Sequence, residues 1–177
     1  MKQRIESYSF TPKDSVFIDA NIWLFLYSPL GRNDPRTAIY SASLKQILSA
    51  GTSVYIDVLV MSEFVNRFAR FEWEMRGGLQ AAGAFKAFRR SQDYRPVGQS
   101  IAAALKAIFK IANRLDSGFK SLLTETFLSE FEAANHDFND HIIAGLCADN
   151  GLTLVTDDAD FKEFDITILT ANRRLAF

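Results

Sequence analysis

Acidic residues in four separate parts of the chain have the type and placement to bind a divalent metal ion. Each lies just after a predicted strand or in the early turns of a predicted helix, and they are Asp19, Glu63, Asp140, Asp158 and Asp160. Carboxylates gathered in one place repel each other unless a cation lies among them. Hard oxygen ligands favour Mg²⁺ or Mn²⁺, and such a metal activates water and neutralises charge that develops on a phosphodiester. These residues therefore predict nuclease chemistry.

Cysteine and histidine are too scarce to form other common metal sites. Cys147 is the single cysteine, which excludes an internal disulfide and a multi-cysteine zinc site. His136 and His141 are the two histidines. We interpret His141 as a helix-surface residue and Cys147 as a packing residue. Any metal ion must therefore be bound by oxygen ligands.

The net charge of −1 indicates no general attraction to nucleic acid across the whole surface. Contact with RNA would have to come from local basic residues. The candidates are Arg32, Arg67, Arg70, Arg89, Arg90, Arg173 and Arg174. Each one is also explained by solvation of a helix or of the chain end.

The pattern of apolar runs predicts an α/β fold. Strands are predicted at residues 15–18, 54–56, 152–155 and 166–169, with helices between them. Alternation of this kind is typical of a three-layer α/β/α sandwich with a central, mostly parallel sheet, here of about four to five strands. We expect one domain over residues 1–177, with residues 1–14 as a short polar lead-in.

A wholly helical segment is predicted at about residues 79–134, as a scaffold without chemistry. Its candidate helices cover residues 79–88, 96–115 and 122–134, with a turn at residues 93–96. Before this segment, an aromatic stripe of Phe64, Phe68 and Phe71 is expected in the core.

Each acid also has a purely structural interpretation. Asp19 could cap the helix that follows it, Glu63 could face solvent, and Asp140 could stabilise a helix N-terminus. One or two of the acids in residues 157–160 could cap a turn. Because right-handed crossovers bring the carboxyl ends of parallel strands to one edge, we expect these acids to converge.

Four short segments resemble, in order and spacing, the successive motifs of PIN domains. They are residues 18–21 (IDAN), 62–64 (SEF), 140–144 (DHIIA) and 155–161 (VTDDADF). The resemblance extends over residues 16–169. A single-domain protein of this kind is most similar to the VapC-type ribonuclease toxins of bacterial and archaeal toxin–antitoxin pairs.

The resemblance implies a Mg²⁺- or Mn²⁺-dependent endoribonuclease that uses a metal-activated water and leaves a 5′-phosphate. It assigns the role of catalytic metal ligand to Asp19, Glu63, Asp140 and Asp158. Accessory residues, which would orient ligands or water, are Asn21, Thr156 and Asp160. Asp157 falls at a variable position and is expected to be peripheral. The implied partners are an RNA substrate, a cognate antitoxin and a second copy of the chain.

Two other functions remain open at this stage. The first is a non-catalytic module that binds RNA or protein, although such a module has no need for a repulsive acidic cluster. The second is a DNA-directed nuclease, because related folds use the same metal chemistry. No segment is apolar and long enough to predict a signal peptide or a membrane span, so a cytoplasmic location is expected.

Overall fold

A computed structural model of the protein describes residues 1–78, 83–117, 128–129, 132 and 137–175. Within these residues the strands form one sheet in which every pairing is parallel. The strands are β1 (Lys2–Arg4), β2 (Ser15–Ile18), β3 (Ser53–Ile56), β4 (Asn113–Arg114), β5 (Thr153–Val155) and β6 (Ile168–Thr170). The predicted three-layer α/β/α fold is thereby confirmed.

Helices connect the strands and cover the sheet. They are α1 (Ala20–Tyr27), α2 (Arg36–Ser49), α3 (Val58–Met75), α4 (Ala84–Phe88), α5 (Tyr94–Ile111) and α6 (Phe138–Asp149). The central strand β2 is apolar after Ser15, and Val16, Phe17 and Ile18 are fully buried, as expected for a parallel strand covered on both faces. Among the described residues, no helix combines the length and apolarity needed to span a bilayer.

The sheet contains six strands among the described residues, which corrects the predicted four to five. Residues 2–4, assigned to a lead-in, form β1 and pair with β6 at one edge. Residues 113–114 form β4 and pair with β3 at the other edge, so the predicted helical segment is interrupted there. Both strands are short and carry polar side chains, so their backbone pairing leaves no apolar pattern in the sequence.

The helical predictions differ from the structure mainly at their ends. The predicted turn at residues 93–96 is the first turn of α5, where proline is tolerated because its missing N–H would have no intrahelical partner. Phe64 and Phe68 are buried as predicted, whereas Phe71 is partly exposed. The predicted helix at 122–134 lies outside the described residues, apart from positions 128, 129 and 132.

The strand order β1-β6-β5-β2-β3-β4 has a switch point between β2 and β5. The chain moves from β2 to β3 and β4 on one side, then returns to β5 and β6 on the other side. Connections that leave in opposite directions open a crevice at the carboxyl ends of the two adjacent strands. Asp19 follows β2 and Thr156 follows β5, so both residues lie at this crevice.

Candidate active site

An acidic cleft of about 280 Å³ lies at the switch point. Every residue that lines it carries a carboxylate or a carboxamide: Asp19, Asn21, Glu63, Asp137, Asn139, Asp140, Asp158 and Asp160. No lysine or arginine among the described residues lines this cleft. The structure thus brings together all five acids singled out from the sequence, and the expected convergence at one sheet edge is observed.

Asp19 lies at the centre of a hydrogen-bond network between β2 and β5. Its Oδ1 accepts from the Ala20 N–H at 2.6 Å, which caps α1. Its Oδ2 accepts from Asn21 Nδ2 at 2.6 Å and from Thr156 Oγ1 at 2.7 Å. These bonds fix the orientation of a carboxylate that is only 4% exposed. The capping role proposed for Asp19 is therefore real, and it does not exclude a role in the cleft.

Thr156 connects Asp19 to the segment that carries Asp158. Its hydroxyl donates to Asp19 and accepts from the Asp158 N–H at 3.0 Å and from Asn21 Nδ2 at 3.1 Å. The Asn21 side-chain oxygen accepts from the Asp157 N–H at 3.1 Å. Asn21 and Thr156 therefore hold the first residues after β5 against Asp19, as expected for residues that orient ligands.

Asp140 enters the cleft from the first turn of α6. Asp137 caps this helix, because its Oδ1 accepts from the Asn139 N–H at 2.8 Å. Asp137 and Asn139 also line the cleft, which the sequence analysis did not anticipate. The signal was present, because a cap residue and the second helical residue lie at the same helix end as Asp140.

Burial and like charge raise the pKa of two cleft carboxyls. Burial raises the pKa of Asp19 to about 7, with the Glu63 and Asp158 charges adding to it and the Thr156 hydrogen bond opposing it. Burial also raises the pKa of Asp140 to about 7, reinforced by the charges of Asp158, Asp137, Asp19 and Asp160. The two carboxyls therefore resist ionisation unless a cation compensates the charge.

The cleft matches Mg²⁺ or Mn²⁺ in the type of its ligands. Its lining offers only carboxylate oxygens and carboxamides. Among the residues that the structure describes, one arginine pairs with a carboxylate of the lining: Arg67 bonds to Glu63 at 2.9 Å. Among the described residues, no three Asp, Glu, His or Cys side chains already have the arrangement of a metal site. Binding one ion would therefore require carboxylates to turn towards it.

Stability should depend on pH through these raised pKa values. Between about pH 4 and pH 7 the folded protein retains protons on Asp19 and Asp140 that the unfolded chain has lost. The free energy of unfolding of metal-free protein should therefore fall across this range and level off above about pH 7. Melting temperatures measured in EDTA from pH 5 to pH 8 test this expectation.

A bound metal ion should reverse this fall in the free energy of unfolding, because the cation competes with protons for the same carboxylates. We expect Mn²⁺ to raise the melting temperature more at pH 8 than at pH 6. Burial also raises the pKa values of Asp57 and Asp157, so these residues add to the pH dependence of stability. The contribution of Asp140 is therefore measured by comparing the Asp140→Asn variant with the parent. A variant with the same pH profile as the parent would show that Asp140 is not the source.

Asp157 points away from the cleft, although it adjoins Asp158. Its carboxylate forms an ion pair with Arg36 and accepts from the Tyr40 hydroxyl at 2.7 Å. Asn172 Nδ2 donates to the Asp157 carbonyl oxygen at 2.7 Å. Asp157 is absent from the cleft lining, as expected for a peripheral residue, but at 7% exposure it is buried and fixes the chain after β5.

His141 was predicted to lie on the helix surface, but in the structure it is buried. It is 7% exposed, and its ring makes an edge contact with Phe164, with the ring centroids 5.1 Å apart. The prediction was wrong because the segment after β5 covers this face of α6, which periodicity alone does not reveal. Cys147 is fully buried and burial raises the pKa of its thiol, consistent with the predicted packing role.

The predicted RNA-contacting arginines lie at several places outside the cleft. Arg67 and Arg70 lie on α3, while Arg173 and Arg174 are exposed after β6. Arg32 lines a different cavity of about 550 Å³ beside the end of α1. Their proposed contacts with RNA stay predictions.

The PIN domain family model matches residues 16–167 of this chain. The protein therefore belongs to the PIN domain family, whose members are generally nucleases. Among solved structures, a chain of VapBC2 from Rickettsia felis, bound to a DNA fragment from the promoter, is similar in fold with a TM-score of 0.54. The two chains are 14% identical, and the match covers 88% of this chain and 98% of that one. No match was found among curated proteins.

Proposed function

We propose that the protein is a metal-dependent endoribonuclease and the toxin of a toxin–antitoxin pair. The observation that carries the proposal is the cleft at the switch point, in which six acids from four separated segments meet. Among the described residues, Glu63 alone of these acids has a lysine or arginine partner. A module that only binds RNA or protein gains nothing from burying carboxylates whose pKa values are raised in this way. Membership of the PIN family supports nuclease chemistry.

The proposed metal ligands are Asp19, Glu63, Asp140 and Asp158, with Asp160 binding directly or through water. Bound Mg²⁺ or Mn²⁺ would supply an activated water and neutralise charge on the scissile phosphate. Asn21 and Thr156 would hold Asp19 in position, since both donate to its Oδ2. Ligands on two strand ends and two helices give the site a rigid frame.

The toxin assignment rests on fold similarity to a chain of the VapBC2 complex. We propose that a cognate antitoxin covers the cleft, that the protein forms a homodimer, and that it acts on cytoplasmic RNA. Light scattering of the purified protein tests the dimer. Co-purification with the product of a small neighbouring reading frame tests the antitoxin.

Cleavage of total RNA by purified, antitoxin-free protein is the direct test of the proposed reaction. We expect discrete fragments with Mg²⁺ or Mn²⁺ and none with EDTA, because the carboxylates alone cannot activate water. Single-stranded DNA incubated under the same conditions separates ribonuclease from deoxyribonuclease activity. Binding of RNA without cleavage under any divalent ion would instead favour the binding module.

A further inference from the structure

Positive charge is concentrated in one part of a chain that is otherwise acidic. Residues 61–95 contain seven lysines and arginines against four acids, whereas the whole chain contains 20 against 21. These residues form most of α3, all of α4 and the start of α5. Local basic surface on a near-neutral protein indicates a specific partner with negative charge, since overall charge provides no attraction.

The basic surface begins at the acidic cleft and continues along α3. Glu63, Arg67 and Arg70 are spaced at i, i+4 and i+7, so they share one face of the helix. With a rise of about 1.5 Å per residue, Arg67 lies about 6 Å and Arg70 about 10 Å along the axis from Glu63. Glu63 lines the cleft and Arg67 bonds to it at 2.9 Å. The two arginines therefore extend away from the cleft edge.

A third arginine, directly after the end of α4, contacts the same aromatic ring as Arg70. The guanidinium carbon of Arg70 lies 4.7 Å from the centroid of the Phe85 ring, and that of Arg89 lies 6.0 Å from it. Trp73 supports the same ring, with centroids 5.4 Å apart. An arginine that stacks on a ring keeps its planar edge free to donate to phosphate oxygens.

Both stacked arginines remain available to a ligand. Arg70 and Arg89 are exposed, and neither forms an ion pair with a carboxylate of the described residues. Contact with Phe85 reduces the side-chain freedom that would be lost on binding. Both guanidinium carbons thus lie within 6.0 Å of the centroid of the same ring, and Arg70 lies about one helical turn beyond Arg67.

We propose that Arg67, Arg70 and Arg89 form an arginine track that binds successive backbone phosphates of single-stranded RNA on one side of the cleavage point. The inference rests on the proposed ribonuclease function. RNA is favoured over an acidic protein because the track is continuous with the cleft edge at Glu63, where the strand to be cut must lie. The ring of Phe85 is already contacted by Arg70 and Arg89, so it is not free to stack on a base. Contacts to phosphates carry no base information, and binding by the arginine track should therefore be independent of RNA sequence.

The salt dependence of RNA binding tests the arginine track. Binding of a fluorescent single-stranded RNA is measured for Asp140→Asn protein in EDTA, so that no cleavage occurs. Each phosphate contact contributes about 0.7 to the slope of log affinity against log salt. We expect Arg70→Gln with Arg89→Gln to reduce this slope by about 1.4 and to weaken binding at low salt.

Two matched variants give the test its controls. Lys45→Gln removes one exposed positive charge from α2, outside the arginine track, and should leave the slope unchanged. Phe85→Leu keeps every charge but removes the ring that holds Arg70 and Arg89, and should weaken binding less than the double variant does. Circular dichroism confirms that each variant is folded. A fall of about 0.7 in the slope for Lys45→Gln, half of that expected for the double variant, would overturn the proposal, because every positive charge would then contribute equally.

Cleavage of substrates of different length gives a second, independent readout. The double variant should raise KM for RNA that extends several nucleotides beyond the cut on either side, with kcat little changed. Very short substrates that cannot reach Arg70 should be cut equally by parent and variant. Parent protein that binds and cuts RNA, with a slope unchanged in the double variant, would overturn the track alone. Parent protein that neither binds nor cuts RNA would overturn the proposed function as well.

Discussion

Asp140→Asn is expected to reduce RNA cleavage by at least about 100-fold and to leave the protein folded. The carboxylate shares the cleft with four other proposed ligands or accessory acids, and a neutral amide is a weaker ligand for Mg²⁺ or Mn²⁺. The same change removes the Asp140 carboxyl, whose pKa is raised by burial and by neighbouring acids. The folded state should therefore become no less stable at neutral pH. Single-turnover cleavage rates and thermal melts measure the two effects.

Asp149→Asn is the matched control for this variant. Asp149 is exposed in the last turn of the same helix and does not line the cleft. It should retain the parental cleavage rate. If Asp140→Asn cuts RNA as fast as Asp149→Asn, with contaminating nuclease excluded, the proposed metal site is wrong.

Asp157→Ala is expected to destabilise the protein by about 1–4 kcal/mol. The change removes the 2.7 Å acceptor of the buried Tyr40 hydroxyl and leaves it only the Thr156 carbonyl oxygen at 3.5 Å. It also removes one carboxylate from Arg36, which is 42% exposed and keeps its ion pair with Asp34. Loss of a buried partner costs roughly 1–3 kcal/mol for the group left behind, and the half-exposed ion pair adds less. For a chain of this length the melting temperature should fall by roughly 2–16 °C.

The neighbouring residue provides a control with the opposite outcome. Asp158→Asn keeps an oxygen that can accept from the Asp160 N–H, so its stability should stay near that of the parent while cleavage is lost. Tyr40→Phe combined with Asp157→Ala should cost less than the two single changes added together, because both remove the same hydrogen bond. Fully additive energies would show that Tyr40 and Asp157 do not act as a pair.

The sequence by itself determined the parts of this protein that leave a periodic or terminal signal. The apolar run ending at Asp19 and the run before Thr156 both form central parallel strands. Asp137 and Gly151 mark the start and end of α6, since one side chain caps the helix and the other residue adopts a positive φ of 61°. Acids placed after such strands converge because parallel strands share their carboxyl edge.

Edge strands and side-chain direction were decided only by the tertiary structure. β1 and β4 contain three and two polar residues, and backbone pairing with β6 and β3 makes them strands without any apolar pattern. Asp157 and Asp158 are chemically identical neighbours in extended chain, where successive side chains point to opposite sides. One enters the acidic cleft, while the other bonds to Tyr40, which lies 117 positions away in sequence.

The same limit explains the burial of His141 and the arginine track. Phe164 covers His141 from a segment beyond β5. Phe85 of α4 contacts the guanidinium group of Arg70 on α3 and that of Arg89 after α4. Local spacing predicts which residues share a face of one element, but not which second element packs against that face. The chemistry of the cleft is therefore determined by the sequence of each segment. The residues that cover the cleft, those that hold its segments in place and the arginine track beside it depend on contacts between segments that only the folded chain brings together.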